Sequence, residues 1–226
     1  MASTRLHFQA EIEDFRSGLV EMASLVLAQV ERGVAAWDEV DRVAAMEVES
    51  GDELVDQRCV ELDQRVFNIQ LLEAPVASDL RLLHVGLIAV IALERVGDLA
   101  VAIAHAASTV RPEGADHAIQ ALIARMSARG VDVLAQAIQA IARGEVELGE
   151  QARDSARTVR SMLDELVHAV AHVRDDTVTR EWASAAVLVG RHLERVANNG
   201  AELGGRVRFL VTGEPFVRTG QARAEQ

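Results

Sequence analysis

The run AVIALERVGDLAVAIA (89–104) returns one hundred positions later as VGRHLERVANNGAELG (189–204). In both, apolar residues recur at steps of three and four, the period of an amphipathic helix. Aligned without a gap, Leu87, Ile91, Glu94, Asp98 and Val101 match Val187, Arg191, Glu194, Asn198 and Ala201. Glu94 and Asp98 interrupt what reads as the apolar, core-facing stripe of the first copy. The second copy keeps the glutamate and replaces the aspartate with an amide.

The same duplication is legible upstream. Val48, Asp52, Val55, Cys59, Leu62, Val66 and Ile69 form one seam. With a constant offset, Ala152, Ala156, Val159, Leu163, Leu166, Val170 and Val173 form another. Asp52 therefore matches Ala156, and Asp56 matches Arg160. Breakers and caps divide the chain at Pro75, at RPEG (111–114), at Gly144, at the aspartates 175–176 and at TGEP (212–215). The expected helices span 8–32, 37–72, 75–110, 116–143, 145–173 and 176–211, each set of three running short, long, long. Asp79 is expected to cap the third. The period near one hundred makes the chain an all-α, duplicated three-helix bundle: repeats 1–112 and 113–215, then a polar, flexible tail 216–226.

Composition agrees with long helices. Of 226 residues half are hydrophobic, while aromatics make up 3 % and prolines number three. No apolar run reaches the roughly 20 residues of a membrane span. Residues 1–10 carry Arg5 and His7 and no apolar leader core, so a cytoplasmic location without membrane insertion is expected. A net charge of −12 repels DNA and anionic membranes, and no basic helix interleaved with aromatics offsets it, so no nucleic-acid partner is expected. Cys59, the single cysteine, forms neither an internal disulfide nor a thiolate metal cluster.

Asp52 and Asp56 lie one turn apart on the second helix, Glu94 and Asp98 one turn apart on the third. Antiparallel packing would bring the four carboxylates to one seam, where they repel unless something positive lies between them. An all-oxygen set suits a hard cation, divalent or ferric: Mg, Ca, Mn or iron before Zn. With 35 acids in 226 residues, roughly five i,i+4 acid pairs arise by chance, so one pair alone means little. Two pairs on neighbouring helices carry more. Pairing with Arg95 or Arg195, or rotation of the acids into a solvated groove, are the competing readings. In the second repeat Glu194 remains as a candidate ligand, with Arg160 or Arg191 able to supply internally the positive charge. Glu165 and His168 have the Glu-x-x-His spacing of di-iron bundles but lack a second pair, and read as surface residues. No phosphate-binding glycine loop and no nucleophile–base constellation is present, so an enzyme is not expected.

Three stretches together resemble the PhoU family of phosphate-uptake regulators: VESGDELVD (48–56), APVASDLRLLHVGLIAVIALERVGDLAVAIA (74–104) and HLERVANNGAELGGRVRFLVTGE (192–214). The resemblance spans about residues 8–214. It implies a PhoU-like fold of two three-helix bundles packed side by side. It also implies metal binding through acid-x-x-x-acid motifs, carried here by Asp52, Asp56, Glu94, Asp98 and Glu194. Ala156, Arg160 and Asn198 depart from the pattern. The family role is that of a cytoplasmic negative regulator of phosphate uptake and the phosphate-starvation response. Such an adaptor works between the ATPase of a phosphate ABC transporter and a sensor histidine kinase, commonly as a homodimer. A metal-storing bundle without a signalling role is the alternative.

Overall fold

The structure, a computed structural model, describes residues 2–215. Six α-helices and one 3-10 turn make up its regular structure: α1 Ala2–Glu39, α2 Arg42–Glu73, α3 Ala77–Ala107, the turn Pro112–Gly114, α4 His117–Arg143, α5 Val146–Val170 and α6 Thr177–Thr212. No strand occurs among the described residues. Helices α1–α3 pack on one another, as do α4–α6, and the two units meet through α1 against α4 and α3 against α6. The fold is the duplicated three-helix bundle expected from the repeat. The tail expected over 216–226 lies outside the described residues.

The helix ends follow local chemistry. Asp41 caps α2 by accepting from the amides of Val43 and Ala44 at 2.8 and 3.1 Å. Asp116 caps α4 through Ala118 and Ile119, and Asp176 caps α6 through Thr179. Each carboxylate satisfies amides that the first turn leaves unpaired. Gly144 and Gly213 end α4 and α6 with φ of 69° and 80°, a conformation glycine adopts without penalty.

Three expectations are corrected. The first helix is not short: it runs past Gly33 and takes in Trp37, which sequence periodicity assigns to α2. Gly33 lies inside this helix. A Cβ at that position would lie 2.7 Å from the carbonyl oxygen of Ala100, so glycine lets α1 approach the α3 backbone. The chain instead turns at Val40, whose φ of 53° is costly for a β-branched residue, and Asp41 restarts the helix. Asp79 does not cap α3: the N-cap is Val76, with no side-chain hydrogen bond, and Asp79 sits in the first turn. Finally, the stripe containing Glu94 and Asp98 is not the core face of α3. The core face is Leu82, Leu83, Gly86, Ala89, Val90, Leu93, Val96, Gly97, Ala100 and Ile103, all buried. The stripe Leu87, Ile91, Glu94, Asp98 and Val101 is half-buried or exposed.

The repeats reproduce each other's packing with the small residue on opposite sides. Gly33 faces Ala100 in the first; in the second, Gly200 faces Leu134, with the position of a Cβ 2.9 Å from the Leu134 Cα. One apolar cluster runs through both units, and the indoles of Trp37 and Trp182, both fully buried, stack across the junction with ring centroids 5.3 Å apart. Two polar ties supplement it: Arg81 Nε donates to the Leu210 carbonyl at 3.0 Å, and Gln120 Nε2 to the Asp38 carbonyl at 3.0 Å.

Adding a methyl group where two backbones touch should cost about 1–3 kcal/mol. Gly33→Ala is therefore expected to lower the urea midpoint. Gly51→Ala, whose Cβ would meet nothing closer than 3.6 Å, should leave stability unchanged or raise it by up to about 1 kcal/mol through helix propensity. Equal responses of the two variants would refute the close α1–α3 approach.

Candidate metal centre between α2 and α3

Helices α2 and α3 run antiparallel, joined by residues 74–76. The seam between them carries acids from both sides. At one end His105 Nδ1 lies 3.1 Å from Glu49 Oε1. Next comes Asp52, half-buried, with Asp56 exposed one turn on; across from them are Glu94, half-buried, and Asp98, exposed. Burial first, then the charges of Asp56, Asp98 and Glu94, push the Asp52 carboxyl above its ordinary 3.8, while the nearby Gln29 amide pulls the other way. Burial and the charges of Asp98 and Asp56 likewise raise Glu94 above 4.5, with Arg95 partly offsetting them. The groups sense one another as the sequence argument requires.

No arginine or histidine comes within ion-pair distance of Asp52, Asp56, Glu94 or Asp98 among the described residues. Arg95 acts on Glu94 only through space. The carboxylates form a row along the seam rather than a closed cage. No three His, Cys, Asp or Glu side chains converge as a ready chelate among the described residues. Cys59 borders the seam, but burial and the charges of Glu94, Asp63 and Asp56 raise its thiol, so it stays protonated and is a poor ligand.

Glu194 lies elsewhere and is already neutralised. It is buried, 4 % exposed, and Arg191 Nη1 approaches its Oε2 at 2.5 Å. Arg191 occupies the position of Ile91 in the first repeat, one turn from the glutamate, where it can reach it. Asn198 is exposed and Ala156 buried. Glu202, on the same face, pairs with Arg206 at 2.8 Å. The two repeats therefore treat equivalent positions in opposite ways: the second carries its own counter-charge and the first does not. Glu165 sits 3.5 Å from Arg125, a surface pair.

One residue of the seam escapes a motif search. Gln29 of α1 is 2 % exposed, and its side-chain amide is the group that hydrogen-bonds the half-buried Asp52 carboxylate and pulls its pKa down. A Cβ on Gly97 would lie 2.8 Å from Asp52 Oδ1 and 3.6 Å from Gln29 Oε1, and a Cβ on Gly51 3.6 Å from Gln29 Nε2. The missing side chain at Gly97 thus leaves room beside the carboxylate, whereas a methyl group at Gly51 would make only an ordinary contact. The signal was present in the sequence, because Gln29 falls on a step of the α1 stripe Phe15, Leu19, Met22 and Val26, all buried. All-oxygen donors that raise one another's pKa are the chemistry a hard cation would take, and the space at Gly97 adjoins them, but the carboxylates are strung along the seam and do not converge as a chelate among the described residues.

Comparisons with known proteins bear on the same region. A family model described as the PhoU domain matches residues 19–107, the stretch holding Gln29, both acid pairs and Gly97. The phosphate-specific transport system accessory protein PhoU homolog of Pseudomonas putida is 29 % identical over 96 % of this chain and 85 % of its own length. The accessory protein PhoU of Escherichia coli K12 is 25 % identical over 94 % of this chain and 88 % of its own. The crystal structure of PhoU from Pseudomonas aeruginosa superposes with a TM-score of 0.82 at 28 % identity, covering 91 % of this chain and 99 % of that one. The phosphate transport system regulatory protein PhoU from Streptococcus pneumoniae shares the fold, with a TM-score of 0.85 at 20 % identity.

A carboxylate with a raised native pKa keeps its proton longer when folded than when unfolded. The metal-free fold should therefore lose stability as pH rises from the ordinary values, 3.8 for Asp52 and 4.5 for Glu94, through the raised ones. In chelator at pH 7, Asp52→Asn is expected to raise Tm by a few degrees. The gain should shrink as pH falls toward 4. A variant that melts like wild type at both pH values would contradict the repulsion.

Proposed function

This chain belongs to the PhoU family, and on that premise we propose that it is an accessory, regulatory component of phosphate transport. In this reading it is a cytoplasmic negative regulator of phosphate uptake and of the phosphate-starvation response. It acts as an adaptor between the ATPase of a phosphate ABC transporter and a sensor histidine kinase, and it works as a homodimer. The observation that carries the reading is end-to-end likeness: relatives named as phosphate transport accessory proteins align over almost the whole chain, across both repeats.

The seam supplies the chemistry. Asp52, Asp56, Glu94 and Asp98 would hold a hard cation, divalent or ferric, whose contribution is to cancel their mutual repulsion. The residues do the rest. Unneutralised, the carboxylates push α2 and α3 apart at mid-helix; neutralised, they let the two helices close on the Val55, Leu62 and Val96 packing already present. A cationic side chain from a partner would have the same effect. The exposed carboxylates, Asp56 and Asp98, are therefore placed to read either a metal or a basic partner surface. Half-buried Asp52 and Glu94 couple that event to the helix spacing. No helix among the described residues is long and apolar enough to cross a membrane, so contact with a transporter would be through its water-facing parts.

Deleting the gene should switch on phosphate-starvation promoters in ample phosphate, and the wild-type gene should silence them again. An Asp52→Ala/Glu94→Ala/Asp98→Ala variant, if folded, is expected to restore silence only in part. Promoters that stay silent in the deletion strain would sink the regulatory role. Full restoration by the triple variant would remove the seam from it.

A further inference from the structure

Of the fifteen large apolar side chains exposed among the described residues, ten lie between Val43 and Ile91, so the first repeat carries most of the apolar surface that the fold leaves in water. Val60, Phe67 and Leu71, at steps of seven and four, share one face of α2. Leu80, half-buried Leu87 and Ile91, at the same steps, share one face of α3. The two faces meet, because Phe67 and Leu87 line one open cavity of about 330 Å³ together with Asp63. Folding does not call for this patch, as the second repeat shows. With the offsets of the two seams, Val60 corresponds to Asp164, Leu80 to Arg180 and Ile91 to Arg191, all exposed. Phe67 and Leu71 have no helical counterpart: Val66 corresponds to Val170, where α5 ends, whereas α2 runs on through Phe67–Glu73, about two further turns. An apolar patch that the sister repeat does without marks a surface that something else covers.

We propose that this α2–α3 face docks an amphipathic helix of a partner protein, one with apolar residues at helical spacing flanked by Arg or Lys. The inference rests on the adaptor reading, which supplies the premise that the chain works by binding another protein, and it holds with or without metal at the seam. Charge selects the occupant. Asp56 and Asp63 alternate with Val60 and Phe67 on α2, at steps of four, three and four, and Glu94 and Asp98 continue the Leu80, Leu87, Ile91 face of α3. None of these four acids has a basic side chain at ion-pair distance among the described residues. An apolar anchor can enter the cavity lined by Phe67 and Leu87, while a basic residue beside it meets Asp63. A second copy related by a twofold axis would set this acidic face against itself, and an anionic bilayer is repelled by the same charges. A basic amphipathic helix covers the apolar side chains and pairs the carboxylates together.

The test uses the full chain and three synthetic helical peptides with leucine at positions i, i+3, i+4 and i+7, flanked by arginine, by glutamine or by glutamate. Binding is read by fluorescence anisotropy, and the oligomeric state of the protein alone by sedimentation velocity. The arginine peptide should bind wild type about 10-fold more tightly than the glutamine peptide, less tightly as salt rises, and the glutamate peptide should not bind. Phe67→Gln and Leu71→Gln, at exposed positions that the core does not use, should together weaken the arginine peptide about 10-fold or more. Asp63→Asn should weaken it less and flatten the salt dependence, and Asp164→Asn in the second repeat should change nothing. Arginine-peptide binding that survives the Phe67→Gln/Leu71→Gln pair would overturn the proposal, since attraction to a chain of net charge −12 would then account for it. Equal binding of all three peptides, or binding of none, would overturn it as well. A wild-type dimer that Leu71→Gln turns into a monomer would assign the patch to a second copy instead. The promoter response of the deletion strain tests the regulatory premise separately: silent promoters leave the peptide result standing, and a failed titration leaves the regulatory role standing.

Discussion

Unmatched charge is the constraint around which this molecule is arranged. Asp52, Asp56, Glu94 and Asp98 face a common seam with no basic side chain at ion-pair distance among the described residues, and two of them are half-buried. Like charges in such a place raise one another's pKa and oppose the packing of the helices that carry them. The fold tolerates this because its cohesion lies elsewhere. One continuous apolar cluster, the Trp37–Trp182 stack and the close backbone contacts at Gly33 and Gly200 hold the six helices regardless of the seam. A strong scaffold can carry a locally unfavourable site, and such a site responds when a counter-charge arrives.

Duplication supplies an internal comparison. The second repeat keeps the glutamate, as Glu194, but buries it against Arg191 and replaces the other acids by Ala156, Arg160 and Asn198. That arrangement needs no ligand. The first repeat, built on the same helices, lacks the arginine and adds space at Gly97 and an amide at Gln29. The contrast separates what the bundle needs in order to fold from what it holds for another purpose, because the second copy folds without any of these features.

Much of this was legible in the sequence. The repeat, the six helices and the seam of α2 follow from apolar steps of three and four, and the acids stand out as interruptions of that period. The rest depended on information the period does not contain. Gly33 stands between Arg32 and Val34, and nothing in the period says what it touches; only the Ala100 carbonyl behind it shows that it is a contact. The turn at Val40 has no glycine or proline to announce it. Glu94 and Asp98 read as core because α3 is apolar on nearly every face, so periodicity cannot say which stripe is innermost. Gln29 is a polar residue on a buried stripe like the acids, yet a neutral amide lacks the charge that makes such interruptions conspicuous. The pairing of Arg191 with Glu194 was legible as an option, through its one-turn spacing, and the structure supplies the contact.

Of the two repeats, only the first would take a cation, because only the first lacks its own counter-charge. The most direct measurement is metal content per chain, by elemental analysis of protein purified without chelator, for wild type, Asp52→Ala and Glu194→Ala. Bound metal is expected in the wild type, lost in Asp52→Ala and retained in Glu194→Ala. Metal lost equally from both variants, or none in the wild type, would contradict it.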